Sequence, residues 1–81
     1  MKVTVLLFGP AAAAVGARQV TVETGARAEI ADLRLAIRQQ HTGLADSLSS
    51  GRLAVNSAFV PESTTIDPDD EVALIAMVSG G

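Results

Sequence analysis

Cysteine, tryptophan and tyrosine are absent from these 81 residues, and the only aromatic rings of any size are Phe8 and Phe59. Without cysteine there is no disulfide, no thiolate metal site and no cysteine nucleophile. A small domain that folds without disulfides suits a reducing compartment. No apolar run approaches the roughly 18 residues that cross a bilayer. Val5-Leu6-Leu7-Phe8 is also too short for the apolar region of a secretory leader. The chain is therefore expected to be cytoplasmic, with no membrane partner. Its six basic residues are scattered and the formal net charge is −3. That leaves neither a basic stripe for phosphates nor a platform for stacked bases, and nucleic acid is not an expected partner.

What is present suffices for one small domain. A chain of this length buries only about 60% of its unfolded surface, so each core residue matters. Hydrophobic residues make up 48% of the sequence, enough for a core without staples. Lys2 to Phe8 alternates as a strand, with Val3, Val5 and Leu7 on one face and Lys2, Thr4, Leu6 and Phe8 on the other. Gly9-Pro10 ends it, and Ala11 to Val15 is a short helix-prone segment closed by Gly16. Gln19 to Glu23 is a second, half-buried strand. The principal helix is expected over about Glu29 to Gln40, with Ile30, Leu33 and Ile37 as its apolar stripe. No residue of the usual capping types precedes Glu29, which predicts a weakly capped start. Leu35 falls on the outer face.

Leu44 to Ser50 reads as a turn-rich connector. Leu53 and Val55 mark a third strand, Asn56-Ser57 a tight turn into Ala58-Phe59-Val60, and Pro61 closes that short edge piece. Asp67-Pro68-Asp69-Asp70 is a turn, and Glu71 to Met77 an almost wholly apolar last strand. The first and last strands are the most apolar on both faces, so they belong side by side in the middle of the sheet. This order predicts an α+β fold: a β-grasp, ubiquitin-like, with a mixed sheet of about five strands on one main helix in two layers. The domain spans residues 1–77, and a flexible tail spans 78–81.

Few groups could carry chemistry. His41 has no acid or nucleophile nearby in sequence, and a position at a helix end accounts for it. The acidic run at Asp67, Asp69, Asp70 and Glu71 lacks the spacing of a calcium loop and reads as a solvated turn, so no metal is expected. No nucleophile, base and orienting acid come together. The tail Val78-Ser79-Gly80-Gly81 is different. Two terminal glycines arise by chance about once in 200 chains, at a glycine usage near 7%. Lacking β-carbons, they can lie extended in a narrow channel and bring the terminal carboxylate to a partner's reaction centre.

Over essentially its whole length the chain resembles the small, sulfur-carrying subunit of molybdopterin synthase. The resemblance lies in Val3-Thr4-Val5-Leu6-Leu7-Phe8, in Val55-Asn56, and in Asp70-Glu71-Val72-Ala73 leading to Val78-Ser79-Gly80-Gly81. It departs from the family's habit at three places. Ala76-Met77 replace two prolines, Glu29 replaces a threonine cap, and Ala11 to Ala14 replace charged residues. The resemblance implies that Gly81 is adenylylated and becomes a thiocarboxylate, with Gly80 its unhindered neighbour and Val78 and Ser79 lying in a partner's active site. Sulfur would pass to a cyclic pyranopterin. The implied partners are a molybdopterin synthase large subunit, an E1-like adenylyltransferase that uses ATP, and a sulfur donor protein. The chain itself would bind no cofactor and catalyse nothing alone. Phe8, Phe59, Ile75 and Met77 are the expected partner interface, on a sheet face that no helix covers. A carrier for thiazole or tRNA thiolation, a ubiquitin-like modifier, and a plain interaction domain remain alternatives.

Overall fold

The structure, a computed structural model, describes residues 1–76. Strand β1 (Lys2–Leu7) runs antiparallel to β2 (Gln19–Glu23), in a register that pairs Val3 with Val22 and Val5 with Val20. Between them lies α1 (Gly9–Val15). Pro10 falls in its first turn, where its missing N–H costs nothing. Gly16, at φ 67°, closes it with a hydrogen bond from its N–H to the Ala12 carbonyl. After β3 (Ala28–Glu29) come α2 (Ile30–Gln40), a 3₁₀ turn (Thr42–Leu44), α3 (Ala45–Ser50), β4 (Gly51–Val55), β5 (Ala58–Phe59), β6 (Thr65–Ile66) and β7 (Val72–Ala76). The main sheet has the order β2-β1-β7-β4-β5. Its first and last strands are parallel neighbours, with Leu6 opposite Ala73, and the other pairings are antiparallel.

One core forms between this sheet and the helices. Val3, Val5, Leu7, Val22, Leu53, Val72 and Leu74 come from the sheet, and Ile30, Leu33, Ile37, Leu44, Leu48 and Ala11 from the helical segments. Strand alternation and the helical stripe thus meet as the sequence predicts, in an α+β, two-layer arrangement.

Several boundaries and one whole element differ from expectation. Leu44 to Ser50 is not a loop but a 3₁₀ turn running into α3. A helix of six residues has no stability of its own. It holds because Leu44 and Leu48, one helical turn apart, are both buried. The weak start expected for α2 is a strong one. Asp32 accepts a hydrogen bond from the Glu29 N–H at 2.9 Å. The N–H groups of Ile30 and Ala31 donate to the carbonyls of Thr64 and Glu62, both at 3.0 Å. The helix start is therefore held both by the local Glu29–Asp32 capping box and by a loop some thirty residues downstream, which Arg34 fastens through a two-pronged ion pair with Glu62 at 2.9 and 3.3 Å. The pairing of β3 with β6 lies at the same place and is too short to leave an alternating pattern.

Strand β2 is an edge of the sheet, and α2 closes much of it. The Gln40 carboxamide accepts from the Glu23 N–H at 2.8 Å and donates to the Glu23 carbonyl at 2.7 Å. His41, half-buried, places Nε2 at 2.9 Å from the Thr21 carbonyl oxygen. The histidine without a partner in sequence has one in space.

Candidate functional site

The sheet face away from the helices is where the sequence places an interface, and the pairings show how it is assembled. Gln19, Leu6, Ala73, Ala54 and Phe59 stand opposite one another across five strands in a single row. Beside that row, Ile75 faces Arg52. Phe8 follows β1 at the same end of the sheet. Leu6, Phe8, Ala54, Phe59, Ala73 and Ile75 line a shallow concavity of about 380 Å³. Phe8 also walls a second hollow of about 570 Å³, over Ala12 and Arg18.

Phe8 is 53% exposed and Phe59 45% exposed. Such rings have no reason within the isolated domain to face water, and clustered apolar exposure marks an interaction surface. The Ala11 to Val15 and Leu44 to Ser50 segments do not shelter them, because both segments turn their buried residues, Ala11, Leu44 and Leu48, into the core. Phe8, Phe59 and Ile75 thus lie on one face. The fourth expected interface residue, Met77, lies outside the described residues, as do Val78, Ser79, Gly80 and Gly81.

Sequence reasoning did not find three further residues here. Arg52 carries its guanidinium 4.3 Å from the Phe59 ring centroid, so the apolar face has a cation on its rim. Gly51 sits opposite Ala76, the last described residue of β7. A β-carbon at Gly51 would fall 2.6 Å from the Ser47 carbonyl oxygen and 2.8 Å from that of Ile75. Only glycine fits between α3 and the end of β7. Asn56, in the left-handed region at φ 51°, grips the segment that enters β7. A glycine at the start of a strand and an Asn-Ser pair between strands were the available signals, and neither shows what the residue touches.

Among the described residues, no three acidic, histidine or cysteine side chains gather as metal ligands, and no helix is long and apolar enough to cross a membrane. The acidic turn is internally bonded: Asp70 accepts from the Asp67 N–H at 2.8 Å and from Asn56 at 3.0 Å. Among the described residues, the structure offers an exposed apolar face beside the end of β7 rather than a pocket with reacting groups.

A mixed five-stranded sheet with first and last strands parallel at its centre, crossed on one face by a principal helix, is a ubiquitin-like β-grasp domain. The chain belongs to the ThiS family, whose profile matches residues 5–81. It is 33% identical over 84 aligned residues to a protein of Mycobacterium tuberculosis (strain ATCC 25618 / H37Rv) named molybdopterin synthase sulfur carrier subunit, covering 100% of this chain and 99% of that one. Among solved structures it is similar to SAMP1 from Haloferax volcanii, with a TM-score of 0.81, 25% identity and full coverage of both chains. It is also similar to a chain in the complex of subunits 1 and 2 of molybdopterin-converting factor from Helicobacter pylori 26695. There the TM-score is 0.71 and the identity 27%, again over 100% of both chains.

Proposed function

We propose that this chain is the sulfur carrier of a molybdopterin synthase. What supports the reading is the full-length similarity to a chain named molybdopterin synthase sulfur carrier subunit, together with a family match that extends to residue 81 and so takes in Gly80-Gly81. In this reading an E1-like partner joins the Gly81 carboxylate to a nucleotide from ATP and releases pyrophosphate. Sulfide delivered by a donor protein attacks the acyl carbon, expels AMP and leaves a thiocarboxylate on Gly81. Inside a large subunit, that sulfur attacks a carbon of a cyclic pyranopterin precursor, and the carbon–oxygen bond there breaks with its electron pair leaving on oxygen. Water then cleaves the acyl–sulfur bond, so the precursor keeps the sulfur and Gly81 returns to a carboxylate. The domain binds no cofactor in this cycle. It presents the tail and docks through the open face, with Phe8, Phe59 and Ile75 as anchors and Met77 beside them.

The test is intact mass after co-expression with an E1-like adenylyltransferase and a sulfur source. The expected gain matches one oxygen replaced by sulfur, and the loaded chain then converts the precursor in the presence of a large subunit. Attachment of the tail to an amine of another protein is the competing outcome in the same spectra. Deleting Gly81 withdraws the reacting carbonyl by about 3.3 Å. Since 1 Å of misplacement can cost roughly a hundredfold in rate, transfer should fall at least that far. The melting temperature should not move. Full activity of the deletion would overturn the reading.

A further inference from the structure

Strand β7 reads Val72-Ala73-Leu74-Ile75-Ala76 and is apolar on both faces. In β1, alternating polar residues make a one-residue slip costly, because it would bury Lys2 and Thr4. Within β7 itself no such penalty applies, and its faces are marked by a single polar neighbour, Glu71, just before it. A slip there exchanges a valine for an alanine and a leucine for an isoleucine in the core. Hydrophobic patterning therefore specifies the register of the central strand poorly, although the strand's far end carries the tail.

Polar contacts at its entry supply what patterning lacks. Asn56 opens the two-residue turn between β4 and β5, where Asn56 and Ser57 adopt φ 51° and 68°. Its carboxamide points across at the chain entering β7. Nδ2 donates to Asp70 Oδ1 at 3.0 Å, and Oδ1 accepts from the Glu71 N–H at 2.9 Å. The Asn56 N–H donates to the Glu71 carbonyl at 2.7 Å. The second oxygen of Asp70 is held by the Asp67 N–H at 2.8 Å, and the Asp70 N–H donates to the Asp67 carbonyl at 3.0 Å. Three groups of one residue thus converge on the single dipeptide Asp70-Glu71. A slip one way puts the longer Glu71 side chain where Asp70 accepts. A slip the other way pulls the Asp67–Asp70 turn apart.

We propose that the Asn56 carboxamide sets the register of β7, and through it the position of the strand end after which residues 77–81 follow. Asn56 is a positioning residue. A one-residue slip moves the strand end by about 3.3 Å. It also replaces Ala73 and Ile75 on the open face with Val72 and Leu74. The consequence for sulfur transfer rests on the function proposed above; the control of register does not.

The test uses Asn56→Gly, which keeps the left-handed backbone and loses the carboxamide. Asn56→Asp sets a carboxylate against Asp70, and combining it with Asp70→Asn restores one donor facing one acceptor. Register is read from cross-strand backbone contacts by NMR, starting from Arg52 opposite Ile75 and Leu53 opposite Leu74. Transfer is read in single turnovers of preloaded carrier at saturating large subunit, beside Val22→Ala as a destabilised control with β7 untouched. Asn56→Gly and Asn56→Asp should each show a second set of β7 contacts. Each should also slow transfer by roughly tenfold or more, as ångström-scale misplacement does. The paired exchange should recover both readouts, and the control should change neither. A single wild-type register in both single variants overturns the proposal, as does failure of the paired exchange to recover it. Shifted register with unchanged transfer overturns the tail-positioning half. If the wild-type chain never accepts sulfur, the proposed function fails, and the NMR comparison still decides the role of Asn56.

Discussion

Leu74 and Ile75 are consecutive residues of the same strand, nearly equal in size and hydrophobicity, and they meet opposite environments. Leu74 is fully buried against the helices, with Val72, Val5 and Leu7 around it. Ile75 is half-buried on a face whose other members include Arg52, Thr4 and Lys2. The two faces of the sheet teach that apolar content does not separate a core from an interface. What separates them is the company each face keeps. One face mixes exposed phenylalanines with charged neighbours, whereas the helix face is closed by the core.

The sharpest way to break this comparison is to truncate both neighbours. Leu74→Ala should cost about 2–5 kcal/mol, as buried leucine truncations do. Ile75→Ala should cost well under half of that in urea or thermal unfolding. Equal losses would mean that the open face is structural. A reversal of the two values would mean that the faces were assigned the wrong way round. Next in size is Phe8→Asp, which should weaken binding of a large subunit by about 2–4 kcal/mol if Phe8 is an anchor. Folding should be spared, because Phe8 is the N-cap of α1 and aspartate is a preferred cap. Isothermal titration beside a melting curve separates the two effects.

Gly51→Ala should destabilise by about 1–3 kcal/mol, the usual cost of overpacking. The new methyl meets backbone oxygens of Ser47 and Ile75, which cannot swing away as a side-chain tip can. Chemical denaturation measures it, and no change would mean that α3 and the end of β7 move apart freely. The smallest effect belongs to Arg52→Ala, about 0.5–1 kcal/mol of stability for an exposed cation–π contact. If the same variant weakens partner binding by more than it weakens folding, the cation on the rim belongs to the interface rather than to the domain.

Alternation and turn chemistry made most of the sheet legible. Lys2, Thr4 and Glu71 mark the solvent side of β1 and β7, and that is enough to place Leu6, Phe8, Ala73 and Ile75 on the open face. Asn56-Ser57 and the acidic turn are visible because few residues tolerate such backbones. The hidden parts share one property. The loop carbonyls of Glu62 and Thr64 that help cap α2, the β3–β6 pair and the Asn56 grip all join residues far apart in sequence, and none leaves a local pattern. Helix α3 was hidden for another reason. Its i, i+4 leucines at 44 and 48 are a helical signal too short to stand against the serines around them. At the site, the open-face placement of Phe8 and Ile75 was readable from alternation, but Gly51 and Arg52 were not. Their roles are set by the atoms across from them.

The Gln40 carboxamide, laid along the edge of β2, has a further effect. With donor and acceptor side by side, it offers Glu23 what the backbone of another strand would offer, and it does so from within the same molecule. An edge strand with idle backbone groups is an invitation to stack chains edge to edge. Here that invitation is already answered at Glu23 and, through His41, at Thr21. A small domain that must keep an apolar face bare runs a standing risk of sticking to its own copies. Sealing much of this edge lowers the chance that a second copy pairs along β2, which leaves the two-residue β5 as the more open edge of the sheet.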